Sequence, residues 1–309
     1  MKILVTGGAG FIGSNLSDRL IKEGYDVVVV DNLASGRPEN INPKGRFYQM
    51  DIRDKNLSSI FEKERPDFVS HHAAQIDVRR SVTDPIFDAE VNVIGTINIL
   101  ENCRKYGVKR VVFASSGGVL YGEVEKEKKA KEDFPTRPIS PYGITKLCVE
   151  KYLKFYQETY GMNSVILRYA NVYGRRQDPF GEAGVVAIFI QKMLKEETPT
   201  IFGNGSQERD YVYVDDVVEA NLSALSKGDN CELNIGTGVT TSVQELFLQL
   251  QKIIGFTKKP IYDQERPGEL QRSCLDASKA KGLLGWSPKK NLAKGLIETV
   301  ECFRKKNDI

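Results

Sequence analysis

The feature that most constrains this chain is a series of short segments without polar alternation: KILVT, DVVVVD, DFVSHHA, RVVFASS and NSVILRY. A strand with one wet face alternates polar and apolar residues, whereas a strand buried on both faces stays apolar throughout. Between these segments lie stretches of helical periodicity over residues 11–22, about 54–64, about 85–106 and from Tyr142 onward, and FYQMD supplies a further strand. Strand and helix in alternation predict an α/β fold, a doubly wound parallel sheet covered by helices on both faces. After Tyr169 the rhythm loosens into glycine-rich turns (YGRRQDPFGEAG, FGNGSQERDY, NIGTG) and shorter helices. The expected division is a first domain over 1–169 and a smaller one over 170–309, some of whose segments return to the first.

The first strand runs into VTGGAGFIG, which places Gly7, Gly10 and Gly13 at the mouth of the first helix. Glycines permit a tight turn and close backbone approach, and a helix N-terminus offers free N–H groups to a pyrophosphate. Asp31 ends the second strand eighteen residues after Gly13, where a carboxylate accepts both hydroxyls of an adenosine ribose and repels a 2′-phosphate. Motif, strand, helix and acid together predict a dinucleotide, NAD rather than NADP, with Arg37 as the residue that could reverse the preference.

Charge and cysteine content narrow the partners. Net charge is +3 with Lys and Arg scattered among 41 acidic residues, so no basic tract suits a nucleic acid or a membrane surface, and a small molecule is expected. No window approaches eighteen consecutive apolar residues and no leader pattern opens the chain, which reads as cytoplasmic. The five cysteines form no C-x-x-C pair, so neither a disulfide framework nor a zinc site is indicated. His71 and His72 read as packed strand-end residues, and the mixed-charge segment EVEKEKKAKEDFPTRP as a solvated loop.

In SPYGITKLCVE, Tyr142 and Lys146 stand one helical turn apart. The spacing alone is common; its place in a Rossmann-like chain, after a strand whose C-terminal end points to the nicotinamide, favours catalysis. A tyrosine ionises near pH 10, but a lysine one turn away and a nicotinamide cation both favour the phenolate. Ser115 and Ser116 offer hydroxyls to the same substrate oxygen.

Taken together, TGGAGFIG, VVDNLASG, HHAAQIDVRRSVTDP, SSGGVLYG, SPYGITK, LRYANVYG, RDYVYVDDVVEA, NIGTG and RPGE…DASKAKGLLGW resemble the extended short-chain dehydrogenase/reductases, and within them the UDP-glucose 4-epimerases, over essentially the whole chain. The resemblance implies that Tyr142 takes the proton of the sugar 4-hydroxyl while C4 gives hydride to NAD, and that the 4-keto sugar turns over before hydride returns. It assigns Gly7, Gly10, Phe11, Ile12, Gly13, Asp31, Asn32, Asp51, Ile52, Ala73, Ala74, Gln75, Asn92, Tyr142, Lys146 and Tyr169 to the cofactor. For a UDP-hexose it assigns Ser116, Tyr142, Asn171, Arg209, Arg266, Glu269 and Ser273, with Tyr142, Lys146 and Ser116 as the catalytic set. Two arginines suit a diphosphate because each fork binds oxygens bidentately.

Two departures are visible. Gly117 stands where many such epimerases carry Ser or Thr, so the hydroxyl role passes to Ser116; Ser273 stands where some carry Tyr, which leaves room for an N-acetyl group. Related enzymes that eliminate water or carbon dioxide resemble Thr-Asp-Glu or Ser-Glu where this chain has Gly117, Gly118 and Val119. A UDP-glucuronate or UDP-N-acetylglucosamine 4-epimerase stays open as an alternative, with Arg79 or Arg80 facing a carboxylate, as does a silent NAD-binding regulator. The family also implies a homodimer through helices near 90–105 and 145–160.

Overall fold

The computed structural model describes residues 1–180, 184–266 and 269–306. Gly181, Glu182 and Ala183 of the YGRRQDPFGEAG motif and Pro267 and Gly268 of RPGE lie outside them. The strands are β1 Lys2–Thr6, β2 Asp26–Asp31, β3 Arg46–Gln49, β4 Phe68–His71, β5 Arg110–Ser116, β6 Asn163–Tyr169, β7 Asn171–Tyr173, β8 Thr200–Phe202, β9 Glu208–Tyr213, β10 Cys231–Ile235, β11 Thr240–Ser242, β12 Ile261–Asp263 and β13 Arg272–Ser273. The helices are α1 Phe11–Lys22, α2 Leu57–Glu64, α3 Val78–Thr83, α4 Pro85–Ala89, α5 Gly95–Tyr106, α6 Gly117–Leu120, α7 Pro141–Tyr160, α8 Val185–Leu194, α9 Val214–Ala224, α10 Val243–Ile254, α11 Ser278–Leu284 and α12 Leu292–Lys306.

Seven parallel strands form the central sheet in the order β10-β6-β5-β4-β1-β2-β3. The apolar runs follow from its two covered faces. Ile3 and Val5 pack into one layer with Leu16 and Leu20 of α1, while Leu4 between them packs into the other with Leu57, Ile60 and Phe61 of α2. Each such side chain, fully withdrawn from water, contributes about 1.5–3 kcal/mol. The order reverses between β1 and β4, and there the carboxyl ends of the strands open a crevice. A third core, with Phe189, Phe247, Tyr213 and Leu296, fills the space among α8, α9, α10 and α12. Among the described residues no helix is long and apolar enough to cross a membrane.

Two expectations need correction. The long helix expected over 85–106 is three pieces: α4, a π-helical turn over Glu90–Ile94, and α5. Such turns mark places where side chains take over backbone positioning, and Asn92 at its centre does so. The charged segment after Gly122 is not simply solvated. Val124 and Ala130 are buried, Ala130 bridges to Leu275, and the Arg272 guanidinium donates to the carbonyls of Glu125 and Lys128 at 2.7 Å each. Most of its lysines and glutamates are exposed, while Val124 and Ala130 are buried and Glu123 and Glu132 accept from the backbone of Arg272 and Asn234.

Two buried polar arrangements hold the layers in register. Arg168 of β6 meets Glu150 of α7 at 2.7 Å with both side chains under a tenth exposed, and Ser115 and Tyr121 complete the network. His71, at the end of β4, sits between Thr6 and Thr96 at 2.6 and 2.8 Å. Thr96 spends its hydroxyl proton on the Asn92 carbonyl at 2.6 Å, so it accepts from His71 Nε2–H and leaves Nδ1 to accept from Thr6. Burial, with Lys146 and then His72 adding repulsion, pushes the imidazole pKa down to about 3. Packing as a strand-end residue is therefore what His71 does.

Arg168→Met is expected to cost about 3–5 kcal/mol in urea unfolding, because Glu150 then keeps a buried charge with no cation, and Arg168→Met/Glu150→Leu should recover much of that loss. The folded pKa of His71 lies below its unfolded value, so its effect on stability sets in as pH falls below about 6.5, where only the unfolded chain takes the proton, and grows until about 3. At pH 5 this amounts to a loss of about 2 kcal/mol relative to pH 7.5. Unfolding curves at the two pH values measure it, and a His71→Asn variant should show the flatter dependence.

Candidate active site

The turn after β1 is built for contact. Gly7 has φ +67°, and a Cβ on it would stand 2.6 Å from the backbone nitrogen of Ala73. A Cβ on Gly13 would stand 2.2 Å from the Gly7 carbonyl oxygen. Side chains at either place would force apart β1, α1 and the loop after β4, which together form the crevice. The first turn of α1 carries no acidic residue, so its free N–H groups remain available to an anion.

A groove of about 440 Å³ runs from this turn along the strand ends. Gly7, Gly10, Phe11, Ile12, Gly13, Asp31, Asn32, Asp51, Ile52, Ala73, Ala74, Gln75, Tyr142, Lys146 and Tyr169 all line it. The Asp31 carboxylate is fixed by N–H donation from Ala9 and Leu33 at 3.0 and 2.8 Å. Asp51, beside the Arg53 guanidinium and then the Asn32 amide, is held down to about 2 and stays ionised. Arg37 pairs with Asp178 at 2.8 Å, so its charge is committed across the mouth of the groove, and the acidic end at Asp31 favours NAD. These donors and acceptors fit a dinucleotide along its length. Asn92 stands behind the wall instead of in the groove: its amide exchanges hydrogen bonds with the Gln75 backbone at 2.8 and 3.0 Å. Sequence reasoning missed Arg176 and Gln177, which reach the groove from beyond β7 and carry no local signal.

At the inner end, Ser140 caps α7 by accepting from Gly143 N–H, and Pro141 starts the helix. This sets Tyr142 and Lys146 on the face turned to β5. Lys146 Nζ donates to the Ala114 carbonyl at 2.8 Å and lies 5.7 Å from the Tyr142 ring centre. Burial pulls the lysine down to about 8 against the opposing effect of Asp88 and Glu150. Burial also pushes the Tyr142 phenol up, and Asp88 pushes it further. Lys146 and a nicotinamide cation are expected to favour the phenolate together; within the chain itself, burial and Asp88 act against it.

The two serines of β5 divide. Ser115 donates to Glu150 Oε1 at 2.6 Å and serves the core network. Ser116 turns to the other side, where a Cβ on Gly118 would meet Asn171 Oδ1 at 3.5 Å and Ser116 Oγ at 3.9 Å. A Cβ on Gly117 would lie 2.6 Å from Leu275 Cδ1, so a side chain there would require Leu275 to shift.

Beyond Ser116, a four-stranded sheet of β11, β9, β13 and β7 assembles the remaining residues. Asn171 is opposite Tyr211 and Ser273 is opposite Arg209 in its register. Arg209 reaches Glu269 at 3.5 Å, while the Arg266 guanidinium lies 3.6 Å over the Phe202 ring. Asn171 Oδ1 and the Tyr211 hydroxyl are buried without hydrogen-bond partners, which marks them as groups that await a polar ligand. Tyr211 was not foreseen; its alternation with Arg209 in ERDYVY was the available signal. Ser273 is buried. Among the described residues no cluster of His, Cys, Asp and Glu could hold a metal.

Comparison with known proteins agrees with this geometry. Residues 3–236 match the model of the NAD dependent epimerase/dehydratase family. The chain is 52% identical to a putative UDP-glucose 4-epimerase of Methanocaldococcus jannaschii, over 99% of each. The crystal structure of the Thermotoga maritima UDP-glucose 4-epimerase with UDP-glucose superposes with a TM-score of 0.98 at 53% identity, covering 99% of this chain and 100% of that one. That of the Thermus thermophilus UDP-glucose 4-epimerase in complex with NAD gives 0.94 at 46% identity, covering 98% and 99%. The chain therefore belongs to the NAD dependent epimerase/dehydratase family.

Proposed function

We propose that this protein is an NAD-dependent 4-epimerase that interconverts UDP-galactose and UDP-glucose through a 4-keto sugar. The observation that carries the reading is the adjoining of two sites: a dinucleotide groove ending at Tyr142 and Lys146, and, next to Ser116, a sheet bearing Asn171 and Arg209, with Glu269 paired to Arg209 from the loop before β13. The likeness to the Thermotoga enzyme that binds UDP-glucose supports it.

In this reading Tyr142 accepts the 4-hydroxyl proton and later returns it, while Ser116 hydrogen-bonds the same oxygen. Bound NAD supplies the hydride acceptor and donor at C4, and its nicotinamide cation the positive charge that the buried phenol needs. Lys146 holds the nicotinamide ribose and keeps a positive charge within reach of the phenol. Arg209 and Arg266 grip the diphosphate and Glu269 the uridine ribose, so the sugar swings about its diphosphate tether and presents its other face to C4 chemistry.

Plain epimerisation is preferred to elimination, because Gly117, Gly118 and Val119 provide no carboxylate at the reacting end. A uronate substrate has less support: Arg80 stacks on the Phe87 ring at 3.9 Å at the groove wall. Exposed Ile94 at the end of the π turn and Ile144, Tyr152 and Phe155 along α7 suit the helix pairing of a homodimer, and free cysteines suit the reducing cytoplasm.

Proton NMR with UDP-galactose tests the reading directly: the purified protein should yield UDP-glucose without net cofactor consumption. Tyr142→Phe should lower kcat by about 10²–10⁴ while NAD and UDP still bind, and full turnover in that variant would remove the proposed base. Parallel rates on UDP-N-acetylgalactosamine decide substrate breadth; with Ser273 buried, the UDP-galactose rate is expected to be the greater.

A further inference from the structure

One charged group beside Tyr142 and Lys146 has no part in the proposed chemistry. Asp88, on the short helix α4, is wholly buried. Its carboxylate accepts from Gln75 Nε2 at 2.9 Å and Asn92 Nδ2 at 3.0 Å on one oxygen, and from Thr145 Oγ1 at 2.8 Å on the other. All three donors are neutral. Burying a carboxylate among neutral groups is costly unless something in the surroundings uses its charge.

The three donors belong to the three segments that enclose the reacting end of the groove. Gln75 is in the inner wall after β4, Asn92 in the π-helical turn, and Thr145 adjoins Lys146 on α7 and also donates to the Tyr142 carbonyl at 3.0 Å. Asp88 thus ties the wall to the helix that presents Tyr142 and Lys146. Its anion also raises the proton affinity of both. The other ionisable groups facing this region are accounted for. Glu150 on α7 is neutralised by Arg168 of β6, His71 and His72 end β4, and the Tyr169 phenol of β6 bonds Asn221. Around α4 itself, Arg80 of α3 and Arg53 lie on Phe87, Glu90 of the π turn meets Arg53, the Asp77 and Asp84 carboxylates cap α3 and α4, and Arg79 has a partner.

We propose that Asp88 is a positioning residue for the epimerase reaction, a fixed buried anion that sets Tyr142 and Lys146 against the cofactor wall and governs the pH range over which they work. The proposal rests on the roles given above to Tyr142 and Lys146. Asp88→Asn is the informative variant. Its amide oxygen still accepts from Gln75 and Asn92, and its NH2 can donate to the Thr145 hydroxyl, which keeps its bond to the Tyr142 carbonyl.

The experiment measures kcat against pH for the NAD-loaded wild type and Asp88→Asn, together with the phenol ionisation of Tyr142 by ¹³C-tyrosine NMR, assigned with Tyr142→Phe. Loss of the anion should move both limbs of the kcat profile to lower pH by about one unit, and the Tyr142 resonance should titrate earlier by the same amount. Asp88→Ala, which removes the ties as well, should add a fall in kcat at every pH. Unmoved limbs and an unmoved resonance in a folded Asp88→Asn protein would overturn the proposal, whatever happened to the rate. If Tyr142→Phe kept full turnover, the catalytic reading would fail by itself, and the resonance shift would still report whether Asp88 controls the phenol.

Discussion

Everything in this molecule depends on the contact between the Gly7 turn and the backbone at Ala73. Parallel strands buried on both faces have no exposed flank on which to place chemistry, so polar groups collect at their carboxyl ends. The reversal of strand order between β1 and β4 opens a large crevice there. A side chain at Gly7 would close it from within. The dinucleotide groove, the orientation of α1 and the placing of α7 over β5 follow from that approach.

Much of the central sheet was legible because its signal is local. Strands such as DVVVVD are apolar on both sides for a reason visible in five or six residues, and the glycine pattern marks its own turn. Of the cofactor wall, Asp31 was legible for the same reason, at the end of β2, whereas Asp51, beyond the end of β3, came only from the family resemblance. Other parts depend on partners far away in the chain. Nothing in CELNI says that β10 extends the first sheet beside β6, and nothing near Asn92 says that its amide pairs with the Gln75 backbone. The segment after Gly122 misled because its many charges hide the two small apolar residues that hold it down.

Electrostatics was the least legible layer. A lysine one turn from a tyrosine suggests an activated phenol, yet the sign of the shift depends on how much water the fold removes and on Asp88, which α5, β5 and the charged segment after Gly122 separate from both in the chain. The same holds for the serines of β5. Adjacent in sequence, they face opposite sides of the sheet, and only the side decides that one supports Glu150 while the other faces Asn171.

The packing of Leu275 against Gly117 couples two distant parts of the chain at the reacting end. A side chain at position 117 would meet Leu275 Cδ1 at 2.6 Å, so it is seated only if that leucine moves aside. The placing of hydroxyls after β5 is thus decided jointly by the strand's own sequence and by a residue near the far end of the chain.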